Sequence, residues 1–307
     1  MVILGCHFLT FTCASYNQNF PHSIRHLCRT LTEVRHRHGK INMQGLQGKA
    51  AIVTGGCNGI GRAVVEAFCN HGVSVTIVDN SDRGTETEME LGSKGFNVQF
   101  SQADIADEQA CHSAVGEAVA RWGKVNFLVN NAFSFIAKGL DAERDDWHRM
   151  MDVGPIGYST MAQCVAEPMQ QQDGGAIVNI SSISAHIAQP NRWTYNAAKG
   201  AVNQLTRCMA MDLAPWKIRV NSVSPGWIWT REVEKAAGGD REKWEPVWGK
   251  YHMLRRLGDV DEVAQAVLFL CSDNASFITA AELPVDGGYL GMGPEGLGET
   301  SSFAGTD

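Results

Sequence analysis

Tyr195 and Lys199 stand four residues apart, a spacing that stacks two side chains on one face of a helix. A free tyrosine titrates near about 10, and a neighbouring ammonium favours the phenolate, which brings the group toward acid/base work near neutral pH. On an exposed helix the same pair would be inconsequential, so its meaning depends on what stands around it. Upstream, Thr54-Gly55-Gly56-Cys57-Asn58-Gly59-Ile60-Gly61 follows a β-rich run and opens a helical one. Backbone N–H groups and a helix dipole at such a turn can face a pyrophosphate, with glycine where the chain turns tightly or touches the ligand. Asp79 comes 18 residues after Gly61, near the spacing of a carboxylate that binds a ribose. That carboxylate accepts hydrogen bonds from a free 2′-hydroxyl and repels a 2′-phosphate, so the expected dinucleotide is NAD. Arg83 keeps NADP as the minor alternative.

The elements that must position these groups are legible from Lys49 onward. Strand-like runs at 50–54, 73–78, 97–101, 126–129, 176–180, 218–223 and 282–285 alternate with helical stretches at 60–71, 83–94, 107–121, 144–170, 194–213 and 259–272. Ala110, Ala114, Val115, Ala118 and Val119 show the three- and four-residue step of an amphipathic helix. The alternation predicts a Rossmann-like, doubly wound α/β fold, a seven-stranded parallel sheet with helices on both faces in one domain. No repeat or Pro/Gly-rich linker divides residues 43–292. The 231–256 stretch breaks the alternation with charge, Trp244, Trp248 and a Gly238-Gly239 pair, and is expected to cover the substrate.

Composition excludes several functions. The 307-residue chain has 26 basic and 33 acidic residues, net −7, and so no broad cationic surface for nucleic acid. Its nine cysteines include no C-x-x-C pair, which argues against zinc and a disulfide framework. The His22/His26 and His36/His38 spacings could ligate a metal but no Cys or carboxylate cluster accompanies them, and no core histidine has ligand spacing, so no metal is expected. Residues 1–42 hold five basic residues and one acid. They read as an N-terminal extension, either a disordered tail or a transit peptide, with an apolar stretch too short to span a bilayer. Residues 293–307 read as a C-terminal tail. The expected location is cytoplasmic, or mitochondrial if the leader is a transit peptide.

Seven motifs in order resemble the short-chain dehydrogenase/reductase family over nearly all of 47–290. They are the Gly-rich turn, Asp104-Ile105, Asn130-Asn131-Ala132, Ile180-Ser181-Ser182, Tyr195 to Lys199, Pro225-Gly226 and Asp286-Gly287-Gly288. The resemblance implies an NAD-dependent oxidoreductase that interconverts a secondary alcohol, or a cyclic sugar hydroxyl, and a carbonyl by hydride transfer. It implies that Ser182 bonds the substrate oxygen, Tyr195 transfers the proton, and Lys199 supports both Tyr195 and the nicotinamide ribose. It further implies that Asp104 and Ile105 flank adenine, that Asn130 and Ala132 line the cofactor groove beside Asn131, and that Pro225, Gly226, Ile228 and Thr230 hold the nicotinamide end. Gly55, Cys57, Asn58, Gly59, Ile60, Gly61 and Asp79 complete the expected cofactor set. Ser182, Ser184, His186, Gln189, Trp193 and Trp227 are expected to meet the substrate, with Arg231 or Arg255 available to an acid group. The resemblance also implies a homotetramer or homodimer joined through the 144–170 and 194–213 helices.

Three positions depart from the family pattern. Gly154 stands where an asparagine is usual, within Val153-Gly154-Pro155-Ile156-Gly157. Pro155 lacks an N–H, so the pair can kink the helix by backbone means and still present a carbonyl to a proton relay. The alternative is an NAD-binding scaffold or redox sensor with weak or no turnover. Phe133 replaces a usual glycine, and Ala280 another.

Overall fold

The computed structural model describes residues 43–294 and 296–297. The expectations for residues 1–42, and nearly all of those for 293–307, lie outside the described residues. Seven strands pair in parallel: β1 (Ala50–Thr54), β2 (Ser74–Asp79), β3 (Val98–Gln102), β4 (Phe127–Asn130), β5 (Gly175–Ile180), β6 (Ile218–Pro225) and β7 (Glu282–Val285). Their order is β3-β2-β1-β4-β5-β6-β7. All five residues of β1 are buried, as expected of a central parallel strand covered on both faces. At the edge, β7 is partly exposed and carries Pro284, whose missing N–H is tolerable only there.

Helices α1 (Gly59–Asn70), α2 (Gly84–Ser93), α3 (Glu108–Trp122), α4 (Arg144–Met151), α5 (Gly157–Gln170), α6 (Trp193–Leu213) and α9 (Val260–Cys271) cover the sheet. One core joins Val53, Ile77, Phe127 and Val178 to Val64 and Phe68 of α1 and Val263 and Val267 of α9. The other joins Ile52, Leu128, Ile177 and Val220 to Ala114, Met161, Val165 and Val202 from α3, α5 and α6. Helix ends follow local chemistry. Asp107 caps α3 by accepting from the Gln109 and Ala110 N–H groups, and Gly123 ends it in the left-handed region. Asp259 and Glu262 form a reciprocal capping box on α9.

One expectation about the elements needs correction. The 144–170 stretch is not one helix, because a π-turn at Asp152–Ile156 separates α4 from α5 and Gly154 is non-helical there (φ −80°, ψ −114°). Pro155 cannot donate to the ladder, which accounts for the break. The 231–256 segment, expected to cover the substrate, forms two short helices, α7 (Arg231–Ala236) and α8 (Arg241–Trp248). Charged and tryptophan-rich sequence masked their period, and neither buries a side chain in the core.

Candidate active site

The connections leaving β1 and β4 diverge to opposite faces of the sheet, and a cleft opens at this switch point. It has a volume of about 620 Å³, with Asp79 and Asp104 toward the β3 side and Tyr195, Trp227 and Trp248 toward the β6 side. Its floor is held by hydrogen bonds across the β1/β4 junction. The Thr54 hydroxyl accepts from the Asn131 and Ala132 N–H groups at 2.9 and 3.0 Å. The Asn131 amide donates to the carbonyls of Thr54 (3.0 Å) and Gly55 (3.1 Å). Asn131 therefore positions the Gly-rich turn, which is how it contributes to the cleft it lines. A Cβ on Gly61 would lie 2.1 Å from the Gly55 carbonyl oxygen, so only glycine lets α1 close on this turn.

Asp79 ends β2 facing the cleft. One carboxylate oxygen accepts from the Cys57 N–H and the other from the Ser81 N–H, each at 3.0 Å. Both oxygens retain lone pairs for ribose hydroxyls. Cys57 is buried away from the cleft, and burial, reinforced by the Asp79 charge, pushes its thiol up to about 12. It fixes Asp79 through its backbone rather than touching a ligand. Arg83 points away, exposed beside Glu86. Asp104 lines the cleft, where burial opposes its charge but the Ala106 N–H and Arg149 outweigh that and hold the carboxyl below its ordinary value.

At the other end, a buried amide ladder sets the height of α6 over the sheet. Asn130 donates to Asn179 (2.9 Å), which donates to the Thr206 hydroxyl (2.9 Å). The same register brings Ser182, Tyr195 and Lys199 to the cleft together. Asn58, Gly59, Ile60, Ile105, Ala132, Ser184, Gln189, Pro225, Gly226, Ile228 and Thr230 line it as well. Seven parallel strands, a glycine turn at the switch point and this side-chain trio agree with what comparison with known proteins finds. A family model described as enoyl-(acyl carrier protein) reductase matches residues 55–290. Cyclopentanol dehydrogenase of Comamonas sp. (strain NCIMB 9872) is 36% identical over 246 residues, covering 78% of this chain and 96% of that one.

The chain belongs to the short-chain dehydrogenase/reductase family.

Solved structures of this family agree. A 7α-hydroxysteroid dehydrogenase complexed with NADH and 7-oxo glycochenodeoxycholic acid matches with a TM-score of 0.76 and 33% identity, over 81% of this chain and 97% of that one. L-sorbose reductase from Gluconobacter frateurii, complexed with NADPH and L-sorbose, matches with 0.76 and 28%, over 81% and 99%. These relatives use one dinucleotide or the other, so family membership fixes a nicotinamide coenzyme and leaves its 2′-position to local residues.

For a short-chain dehydrogenase/reductase, the surroundings of Lys199 are unusual. Its ammonium donates to the Ile180 carbonyl at 2.8 Å and lies 3.6 Å from the centre of the Phe133 ring. Phe133 also meets Tyr195 edge-on at 5.6 Å. A Cβ on Gly154 would lie 2.8 Å from the Phe133 ring, so the phenyl fills the volume that an asparagine side chain would enter. The Gly154 carbonyl accepts from the Gly157 N–H. The direct contacts of the ammonium are thus the Phe133 ring and the Ile180 carbonyl. The Tyr195 phenol is not lowered as its spacing from Lys199 led one to expect. Burial raises the Tyr195 phenol, while the Ser182 hydroxyl and the Arg192 charge oppose the rise.

Lys199 itself is 3% exposed, and burial pulls its ammonium down to about 7. An unfolded lysine titrates near about 10.4. Between these values the unfolded chain carries a proton that the folded chain lacks, so this group makes stability rise with pH across the window. Lys199→Met should flatten that rise, read as the difference in melting temperature between about pH 7 and about pH 9 for the two proteins. Equal differences would mean that Lys199 keeps its proton.

Toward the substrate side, Trp227 and Trp248 line the cleft with ring centroids 5.3 Å apart, and Trp244 stacks on Trp248 at 4.8 Å. The expected cover at 231–256 therefore contributes an aromatic wall. Buried His252, kept neutral by burial, accepts from the Trp227 N–H at 3.2 Å and steadies the loop. Two expected substrate residues do not line the cleft. His186 binds Glu282 at 2.6 Å and Asn203 at 3.1 Å behind α6, and Trp193 is 55% exposed on the surface. Ser184 faces the cleft with its hydroxyl already donated to Gln189 at 2.7 Å. Arg231 lines the cleft; Arg255 bonds the Lys250 carbonyl and does not line it. Phe135 and Arg192 line it unexpectedly. Arg192 stands just before α6, three residues ahead of Tyr195, and that proximity in sequence was the available signal.

Proposed function

We propose that this protein is an NAD-dependent dehydrogenase of secondary alcohols, with Tyr195 as the group that exchanges a proton with the reacting oxygen. Membership of the family makes it an oxidoreductase; the relatives named above act on cyclic alcohols, steroid hydroxyls and a sugar. The observation that carries the coenzyme choice is Asp79, whose two oxygens are pinned by backbone N–H groups at the cleft margin while Arg83 faces Glu86.

The Gly-rich turn, Asp79, Asp104 and Ile105 would hold the adenosine half, and Pro225, Gly226, Ile228 and Thr230 the nicotinamide half. NAD supplies the hydride acceptor. Ser182, at the end of β5, donates a hydrogen bond to the substrate oxygen. Tyr195 takes the hydroxyl proton as the carbon is oxidised and returns it in reduction. Lys199, oriented by the Ile180 carbonyl, would hold the nicotinamide ribose. The aromatic wall excludes water from the reacting carbon.

Asp79→Asn is expected to shift the ratio of NADP to NAD specificity toward NADP by about tenfold or more, because a repelling charge is removed. Its thermal stability falls, since one of the two pinned N–H groups then faces an NH₂. Steady-state kinetics with both coenzymes read the first effect; an unchanged ratio counts against the assignment. The competing reading, a coenzyme-binding scaffold, draws on Gly154 and Phe133. A panel of cyclic alcohols, polyols, sugars and hydroxysteroids, followed by NADH absorbance in wild type and Tyr195→Phe, separates the two. Tight NAD binding without any Tyr195-dependent signal would favour the scaffold.

A further inference from the structure

The geometry points to Arg192 as the recognition site for an anionic group, a carboxylate, carried by the substrate beyond its reacting hydroxyl. The inference rests on the reading of this cleft as the place where an alcohol is oxidised, and it narrows the class of alcohol.

Arg192 lines the cleft at the mouth of α6. Its guanidinium lies over the Phe135 ring at 5.6 Å, and that ring packs edge-on against Tyr195 at 5.0 Å. Charge, ring and phenol thus follow one another along the cleft. This row is braced. Thr194 donates to the Ile136 carbonyl at 2.5 Å and accepts from the Lys138 N–H at 3.1 Å, which staples the loop carrying Phe135 to the start of α6. Arg192 therefore has a fixed root on both sides.

What it does not have is a counter-charge. Among the described residues no ion pair or side-chain hydrogen bond reaches Arg192; its guanidinium lies over Phe135, and its charge acts on the Tyr195 and Tyr289 phenols. The other basic groups nearby are neutralised: Arg149 by Asp104 at 2.8 Å and Lys138 by Asp146 at 2.9 Å. Arg231 and Glu232, adjacent on α7, both face the cleft and add no net charge. A guanidinium over an aromatic face, in a partly desolvated cleft, presents a planar donor edge that matches a carboxylate in two parallel hydrogen bonds. Trp227 and Trp248 in the same cleft supply apolar area for the body that joins the hydroxyl to the acid.

Turnover of 4-hydroxycyclohexanecarboxylate and its primary amide, which has the same shape without the charge, tests this directly. Wild type is expected to favour the acid in kcat/KM by about tenfold or more, and Arg192→Gln to erase that preference. Arg192→Lys restores part of it. The ratio of acid to amide is the readout because Arg192 also acts on Tyr195, an effect common to both substrates. Equal losses for acid and amide would overturn the proposal. Binding of cyclohexanecarboxylate and cyclohexanecarboxamide to the NAD-loaded protein, by calorimetry, gives a second readout without turnover. Preferential binding of the acid that Arg192→Gln removes would sustain the anion site even if no alcohol were oxidised, whereas indifference to charge would sink it while leaving the dehydrogenase intact.

Discussion

Tyr195→Phe should lower kcat for alcohol oxidation by about 10²- to 10⁴-fold, the range associated with a positioned acid/base. The substitution removes one oxygen and leaves the ring that packs on Phe133 and Phe135. Coenzyme affinity, read by quenching of protein fluorescence, is the control that separates lost chemistry from a lost site. The pH profile carries a second signature. Burial holds the phenol above its ordinary value, and oxidation requires its deprotonated form. Below that pKa, log kcat/KM for oxidation by wild type climbs about one unit per pH unit, and the phenylalanine variant is flat. A variant that kept both rate and slope would remove Tyr195 from the mechanism.

Restoring asparagine at position 154 should harm this enzyme rather than improve it. The new side chain would begin 2.8 Å from the Phe133 ring, and that ring supports Lys199 and Tyr195. Gly154→Asn alone is expected to cost about 1–3 kcal/mol of stability by overpacking and to lower turnover by about tenfold or more as Lys199 is displaced. Phe133→Gly alone leaves a cavity and costs about 3 kcal/mol or more. The double variant Phe133→Gly/Gly154→Asn should be clearly better than the two losses added, with a coupling of about 1 kcal/mol or more. Thermal melts and kcat of the four proteins close the cycle. Strict additivity would show that the two positions do not exchange roles.

The sheet, the switch-point turn and the Ser182, Tyr195 and Lys199 trio were legible in the sequence because each is encoded locally. Buried parallel strands read as apolar runs, glycines mark a turn that no side chain can enter, and four-residue spacing sets two groups on one face. Departures arise where a residue's role depends on something distant in sequence. Phe133 and Gly154 are each odd alone; only their apposition shows that one fills the other's space. His186 was expected at the substrate, yet the chain turns through Ile183–Ala185 and His186 bonds Glu282, 96 residues away. The direction of the Tyr195 shift was missed for the same reason, since burial is a property of the packed cleft and not of a neighbouring lysine. Arg192 was overlooked although its spacing from Tyr195 was visible, because nothing in the sequence shows which arginines find a carboxylate.

The floor and the cover of the cleft differ in how they are held. Thr54, Asn131 and the backbone of Gly55 are stitched together across β1 and β4, so the coenzyme meets a surface whose ordering entropy was already spent when the chain folded. Helices α7 and α8 bury no side chain in the core, so the ordering that ligand binding requires is expected to fall on them more than on the floor. Substitutions in α8, which lies farther along the chain from Thr230 than α7 does, are expected to alter the choice of alcohol more than the coenzyme's grip.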